Sequence, residues 1–270
     1  ADIKALREQT AAGMMDVKKA LEEADGDMAK AAEILRIKGL KGVTKREGRS
    51  ASNGLVAAKA EAGVGTLVEV NCETDFVAKG ERFIALAEQV LAQAIATEAT
   101  DAEALVASTL PDGRTVAELL IEGNAATGEK IEVRRVARVT GERVVAYLHK
   151  TSRDLPAQIG VLLATSGGDE EIAHDVAMHV AAFSPTVLAR ADVPADVVAN
   201  EQRIAEATAR EEGKPEAALP RIIEGRVNGY FKENVLLEQA FAKDQKKSVA
   251  QVLKEAGAEA TGFARFRVGN

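Results

Sequence analysis

Asp75 and Phe76 set a carboxylate beside a large aromatic ring inside the polar run Asn71-Cys-Glu-Thr-Asp-Phe-Val-Ala-Lys-Gly80. The carboxylate can cap a helix. The ring can staple the chain's entry into that helix, or it can protrude as an anchor for a partner protein. With no Trp, two Tyr and seven Phe in the chain, an aromatic in a polar turn stands out. The other reactive side chains are scattered. Cys72 is the single cysteine, so neither an intrachain disulfide nor a thiolate cluster can form. His174 and His179 do not have the spacing of a helical metal pair. Thr165-Ser-Gly-Gly168 could cradle an anion, but tight turns use the same residues. Gly-x-Ser-x-Gly, a Walker phosphate loop and Gly-x-Gly-x-x-Gly are all missing. We therefore expect no catalytic residue, no metal ligand and no cofactor.

The elements around the Asp-Phe pair can be read from periodicity. Thr66, Val68, Val70 and Cys72 alternate with Leu67, Glu69 and Asn71, the pattern of a half-buried strand. Phe83, Ala87, Val90 and Ala94 then recur at helical spacing, with Ile84, Leu91 and Ile95 beside them. Thr74 and Asp75 are good N-cap residues, so the strand should turn sharply into helix at this point.

The remaining chain divides into further units. Residues 1–40 read as three short helices: Met14, Val17, Leu21 and Ala24 form one face, Asp25-Gly26-Asp27 a turn, and Met28, Ala31, Ala32 and Leu35 the next face, with Gly39 as its cap. Adjacent Met14 and Met15 cannot both face one core, so one should be exposed. Residues 41–54, rich in Gly, Lys and Arg, read as a linker rather than an RNA contact, because no aromatics interleave for base stacking. Pro111-Asp112-Gly113 marks a turn and Val116 to Ile121 a short helix. Ile131 to Val139 and Val144 to Leu148, flanking Thr140-Gly141-Glu142, suggest a β-hairpin with His149 at its exposed end. Gly65-Thr-Leu-Val-Glu-Val70 is similar to Gly160-Val-Leu-Leu-Ala-Thr165, and each is followed by an amphipathic helix, as in a duplicated scaffold. Residues 190–228 read as an αα-hairpin turning at Gly213-Lys214-Pro215, with Pro220 either kinking the second arm or delaying its start. Ser248-Val-Ala-Gln251 is a capping box, Gly257 fits the helix end, and Phe263 to Val268 a final strand. The fold class is α+β: a three-helix module (1–40), a linker (41–54), a duplicated core of antiparallel sheets and packed helices (55–139, then 140–189 with 229–270) and an inserted helical hairpin (190–228).

A net charge of −7 and a pI near 5.3 argue against a nucleic-acid binder coated in positive charge. No apolar run approaches the roughly 18 residues that span a bilayer, and Ala1-Asp2-Ile3-Lys4 lacks a signal-peptide pattern. A reduced, cytoplasmic setting is expected, without membrane or direct nucleic-acid contact.

Three regions resemble the bacterial elongation factor Ts family, in the right order. Glu69-Val-Asn-Cys-Glu-Thr-Asp-Phe-Val-Ala-Lys79 is similar to the family's hallmark segment, and Leu6 to Leu21 to its N-terminal segment, with Ala11 where a small polar residue or Gly is usual. The helical hairpin resembles the family's coiled-coil insertion. The resemblance implies guanine-nucleotide exchange on elongation factor Tu in translation elongation, with no bond made or broken. It implies partner contacts from the exchange loop (Thr74, Asp75, Phe76, Val77, Ala78, Lys79), from a ubiquitin-associated-like module (Arg7, Met14, Met15) and from His149. GDP and Mg²⁺ would be met only through the partner, bound in its GDP or nucleotide-free form as a 1:1 or 2:2 complex. A C-terminal helical module found in many members is expected to be missing after Asn270. The alternative is a scaffold that binds another protein through the three-helix module without accelerating release.

Overall fold

A computed structural model describes residues 2–10, 12–35 and 50–269, the side chains of 7–10 excepted. Its N-terminal unit comprises α1 (Asp2–Thr10), α2 (Met14–Glu23) and α3, helical over 28–35. Leu6, Val17, Ala20, Ala24, Ala31 and Leu35 form its own small core. Asp25 and Gly26, both at positive φ, make the turn into α3. Met14 does not join this core, contrary to the helical-face reading: it is 57 % exposed and Met15 is 64 % exposed, because the stripe that closes is Val17, Ala20 and Ala24. The Gly39 cap, Ala11 and all but residues 50–54 of the expected linker lie outside the described residues.

From residue 53 the chain builds four layers. The first sheet has strand order β1-β2-β3, from β1 (Asn53–Glu61), β2 (Val64–Cys72) and β3 (Glu132–Thr140), all antiparallel. Ala62 and Gly63, both at positive φ, supply the tight turn that joins β1 to β2. Its outer face packs on α5 (Glu81–Ala96), α6 (Ala102–Ala107) and α7 (Val116–Thr127) through Val68, Val70, Phe83, Val90, Leu105 and Leu119. The second sheet, order β4-β5-β8, contains β4 (Arg143–His149), β5 (Ile159–Gly167) and β8 (Ala258–Arg267). Its outer face carries α8 (Glu170–Phe183) and α11 (Val249–Glu255), with Val161, Leu163, Val176 and Leu253 between them. A small ribbon, β6 (Ala240–Phe241) and β7 (Asp244–Ser248), leads into α11.

The two sheets face each other across a seam of small residues: Ala58, Ala137, Ala146 and Ala264 surround Val56, Leu67, Leu162 and Phe266. Two glycines set its closeness. A Cβ on Gly65 would lie 2.9 Å from Leu162, and one on Gly160 would lie 2.6 Å from Leu67. Each central strand thus omits a side chain where the other inserts a leucine, and the relation is reciprocal. Glu69, fully buried, is held by Arg135 Nε at 2.5 Å and by the backbone N–H of Gly269 at 3.0 Å, tying β2 and β3 to the end of β8. A buried carboxylate needs such partners.

Four readings of the sequence are corrected here. β3 and β4 are not a hairpin: β3 pairs with β2, β4 pairs with β5, and Thr140-Gly141-Glu142 carries the chain from one sheet to the other. The backbone N–H of Gly141 donates to Gly63 O, fixing that corner on the β1–β2 turn. β2 is buried on both faces rather than one, because the second sheet covers the side that alternation assigned to solvent. The helix expected to end at Ile121 continues to Thr127. The last strand begins at Ala258, five residues before Phe263.

Other elements form as read. Ser248 and Gln251 make both bonds of the capping box of α11. Pro220 sits in the first turn of α10 (Leu219–Asn234), so that helix starts there without a kink. α10 packs against α9 (Ala195–Glu211) through Ala205, Ala209 and Leu219. The base of this pair is a cluster of Val193, Val227, Phe231 and Val235. Among the described residues, no helix is long and apolar enough to cross a membrane.

Candidate partner-docking site

At the end of β2 the chain enters a single turn of helix, α4 (Asp75–Ala78). Thr74 is its N-cap, extended at φ −125°, and its hydroxyl oxygen accepts from Val77 N–H at 3.4 Å. Asp75 is the first helical residue, not the cap. So short a helix has almost no stability of its own. Ala78, 1 % exposed, and Val77 root it in the core beneath. From behind, the Glu129 carboxylate accepts from the backbone N–H groups of Glu73 and Thr74, both at 3.0 Å, and from the Thr74 hydroxyl at 2.5 Å. In return, Lys130 N–H donates to Glu73 Oε1 at 2.6 Å.

This fixed base leaves Asp75, Phe76 and Lys79 exposed. Phe76 is 75 % exposed, and the Lys79 ammonium lies over its ring, 4.6 Å from the centroid. The staple reading of Phe76 therefore fails, since a stapling ring would be covered by the helix it enters. The hydroxyl of Thr74 is bonded to Glu129 and Val77, and Ala78 faces the core.

The thiol at the end of β2 and the buried histidine of α8 are both shielded from solvent. Cys72 is fully buried and donates to Thr74 O at 3.2 Å. Burial first, and then the negative charge of Glu129, push its pKa up to about 12, so it stays a neutral thiol. His179 is also fully buried. Its Nδ1 accepts from Ala242 N–H at 3.0 Å, which leaves Nε2 to donate to Gln239 Oε1 at 2.8 Å. Burial holds its pKa below the usual histidine value, against the opposing pull of the Gln239 bond. Among the described residues, no group of three or more His, Cys, Asp or Glu is placed to hold a metal ion. Gly167 and Gly168 aim carbonyl groups at Arg143 Nη1, and Asp169 beyond them caps α8. This is a turn rather than an anion cradle.

His149 ends β4, exposed, with its Nδ1 3.0 Å from the Tyr147 hydroxyl. The ring of Tyr147 meets His174 edge-on. Next to His149, Leu148 is 41 % exposed and lines a groove with Arg153 and Leu155 on one side and Lys79, Ile84 and Leu91 on the other. Lys79, which ends the α4 turn, and Leu148 near the end of β4 therefore border a single groove, although 69 residues separate them, whereas His149 lies on the opposite face of β4 beside Tyr147. Met14 and Met15 lie at the start of α2 in the N-terminal unit, and the side chain of Arg7 is outside the described residues. Sequence reasoning missed Glu129 and the groove. Only the Thr127-Gly128 helix end, which aims the next residue back toward the sheet, hinted at the first.

The model of one protein family, described as elongation factor TS, matches residues 73–270. This chain belongs to the elongation factor Ts family. Elongation factor Ts of Renibacterium salmoninarum is 65 % identical over 272 residues, covering 100 % of this chain and 98 % of the relative. That of Pseudarthrobacter chlorophenolicus is 63 % identical over 273 residues with the same coverage. That of Acidothermus cellulolyticus is 63 % identical over 269 residues, covering 97 % of the relative. In this elongation factor Ts chain the family match takes in the whole of α4, β3, the second sheet and the helical pair, and begins one residue after β2 ends.

Proposed function

We propose that this chain is a guanine-nucleotide exchange factor for elongation factor Tu, acting in the cytoplasm during translation elongation. The observation that carries the reading is Phe76: a large apolar ring, three-quarters exposed, on a turn anchored by hydrogen bonds and core packing. A rigidly presented aromatic loses little conformational freedom on binding, which is what an insertion anchor requires. Asp75 beside it brings a carboxylate toward the partner's Mg²⁺ and phosphate site. Lys79 and Leu148 extend the contact along the groove, and His149 adds a separate exposed contact at the end of β4. The N-terminal unit acts as a ubiquitin-associated-like clamp through Met14 and Met15, and α9 with α10 as a coiled-coil arm.

Exchange of this kind makes and breaks no bond. The factor binds nucleotide-free partner more tightly than GDP-bound partner, and by linkage nucleotide weakens factor binding by the same ratio. A thousandfold effect requires about 4 kcal/mol of differential binding. The test is to mix the chain with elongation factor Tu carrying fluorescent GDP and to follow release against added unlabelled nucleotide. Release should accelerate with factor concentration. Binding without acceleration would instead favour a scaffold working through the three-helix unit.

A further inference from the structure

Glu129 stands among negative neighbours. Glu73 and Asp75 lie close enough that, together with Glu129, they disfavour ionisation of Cys72. Simple charge counting would place a cation here. The carboxylate instead accepts three hydrogen bonds from two consecutive residues, Glu73 and Thr74, that lie 56 and 55 positions earlier in the chain. Backbone N–H groups converging on a carboxylate are strong, charge-assisted donors. The arrangement is reciprocal, since Glu73 takes the N–H of Lys130. It resembles a helix capping box spread across two distant segments. Glu129 is itself aimed by the end of α7: Thr127 donates its hydroxyl to Gly123 O and accepts Glu129 N–H, and Gly128 at φ +77° turns the chain. Three of the hydrogen bonds that hold the entry to α4 therefore converge on one side chain, while Asn53 Nδ2 and Lys130 N–H hold Glu73 just before it.

We propose that Glu129 is the positioning residue of the exchange loop: it fixes the height and orientation of Phe76 without contacting the partner. The inference rests on the exchange reading above. Without Glu129, α4 keeps Ala78 as its root but loses the bonds at its N-terminal end. The turn then opens at Cys72, because the Cys72 thiol donates to the carbonyl of the same Thr74 that Glu129 holds. Cys72 is the chain's single cysteine, so its labelling by a thiol reagent, compared with the global unfolding free energy of the same variant, reports opening of this turn.

Three measurements on Glu129→Gln and Glu129→Ala test the proposal. Glutamine keeps the shape but carries no charge and can accept at only one oxygen. Labelling of Cys72 should quicken by about tenfold in the glutamine variant and more in the alanine variant, as expected when charge-assisted bonds are lost. The maximal rate of GDP release should fall by about tenfold at saturating factor, because the anchor is presented in the wrong pose. In the Phe76→Ala background, Glu129→Gln should cost no further exchange, since a residue that acts only through Phe76 has nothing left to position. A general structural role would instead give additive losses. Thr74→Val, which removes one of the three bonds together with the cap bond from Val77 N–H, should move labelling and release in the same direction, and Glu129→Gln carries the test if Glu129→Ala folds poorly. Unchanged Cys72 labelling in Glu129→Gln, or additive exchange losses in the double variant, would overturn the inference alone. Normal exchange by Phe76→Ala itself would overturn the exchange reading together with it.

Discussion

Truncating Phe76 to alanine separates folding from docking, because the structure gives the ring very different weights in the two. Three-quarters of the ring is exposed in the free chain. A core Phe→Ala change costs about 3–5 kcal/mol, and a quarter-buried ring should cost about 1 kcal/mol. The contact with Lys79 at 4.6 Å is an exposed cation–π pair, worth about 0.5 kcal/mol. A chain of this size should lose no more than about 4 °C of melting temperature per kcal/mol. Docking is different. A phenylalanine offers about 200 Å², so covering the exposed three-quarters removes about 150 Å² from water, worth about 4 kcal/mol at 25 cal/mol per Å². Incomplete coverage and the ordering of neighbours reduce that to about 2 kcal/mol or more, the range of a central anchor. If the contact is made in the state that releases GDP, the second-order rate of release falls about thirtyfold. The assay is a melting curve beside a fluorescent-GDP release trace for each protein, with the factor in excess. A drop of 10 °C or more with normal exchange in the folded fraction would refute the reasoning and return Phe76 to the core.

The sheet-to-sheet seam should be intolerant of volume. Gly65→Ala places a Cβ 2.7 Å from Val144 and 2.9 Å from Leu162, and it should cost about 1–3 kcal/mol of stability in denaturant melts, partly recovered when Leu162 is shortened to Val. His179 makes the fold acid-sensitive: its folded pKa lies below the unfolded value of 6.5, so its stabilising share is complete above that pH and is lost as pH falls through the histidine range. Melting temperature should therefore decline between pH 7 and 5, and His179→Gln should flatten the decline; an unchanged slope would show that other groups set it. Replacing residues 195–226 with a short Gly-Ser linker should leave GDP release within about twofold, because α9 and α10 contribute nothing to the groove or to α4. Loss of exchange with an intact circular dichroism spectrum would place the arm in the interface.

The strands and helices of the core were legible because burial imposes a period on them: Phe83, Val90 and Ala94 announce α5, and Ser248 with Gln251 announces the start of α11. The partnering of strands was less so. Thr140-Gly141-Glu142 has the composition of a hairpin turn, and nothing local distinguishes a turn that folds a strand back from one that passes it to a facing sheet. That choice is made by the seam, whose small residues lie on six different strands. The exposure of Phe76 was also undecidable locally, since a staple and an anchor have the same sequence; the decision is made by Ala78 and Glu129, which hold the turn so that the ring points away. Glu129 was invisible for a related reason. Its role depends on 55 residues of intervening fold that bring it to Thr74.

The exchanged glycines and leucines of the seam also bear on how such a chain can change over generations. Leu67 occupies space vacated by Gly160, and Leu162 occupies space vacated by Gly65. A side chain gained in one half must be matched by one shortened in the other, so the fitness of each substitution depends on a residue about a hundred positions away. Chimeras should obey the same rule. Joining the first half of this chain to the second half of a distant relative should succeed only when both members of each glycine–leucine pair travel in matching volume, whatever the identity of the surfaces. Random exchange between relatives would thus be filtered at the seam before any partner is met.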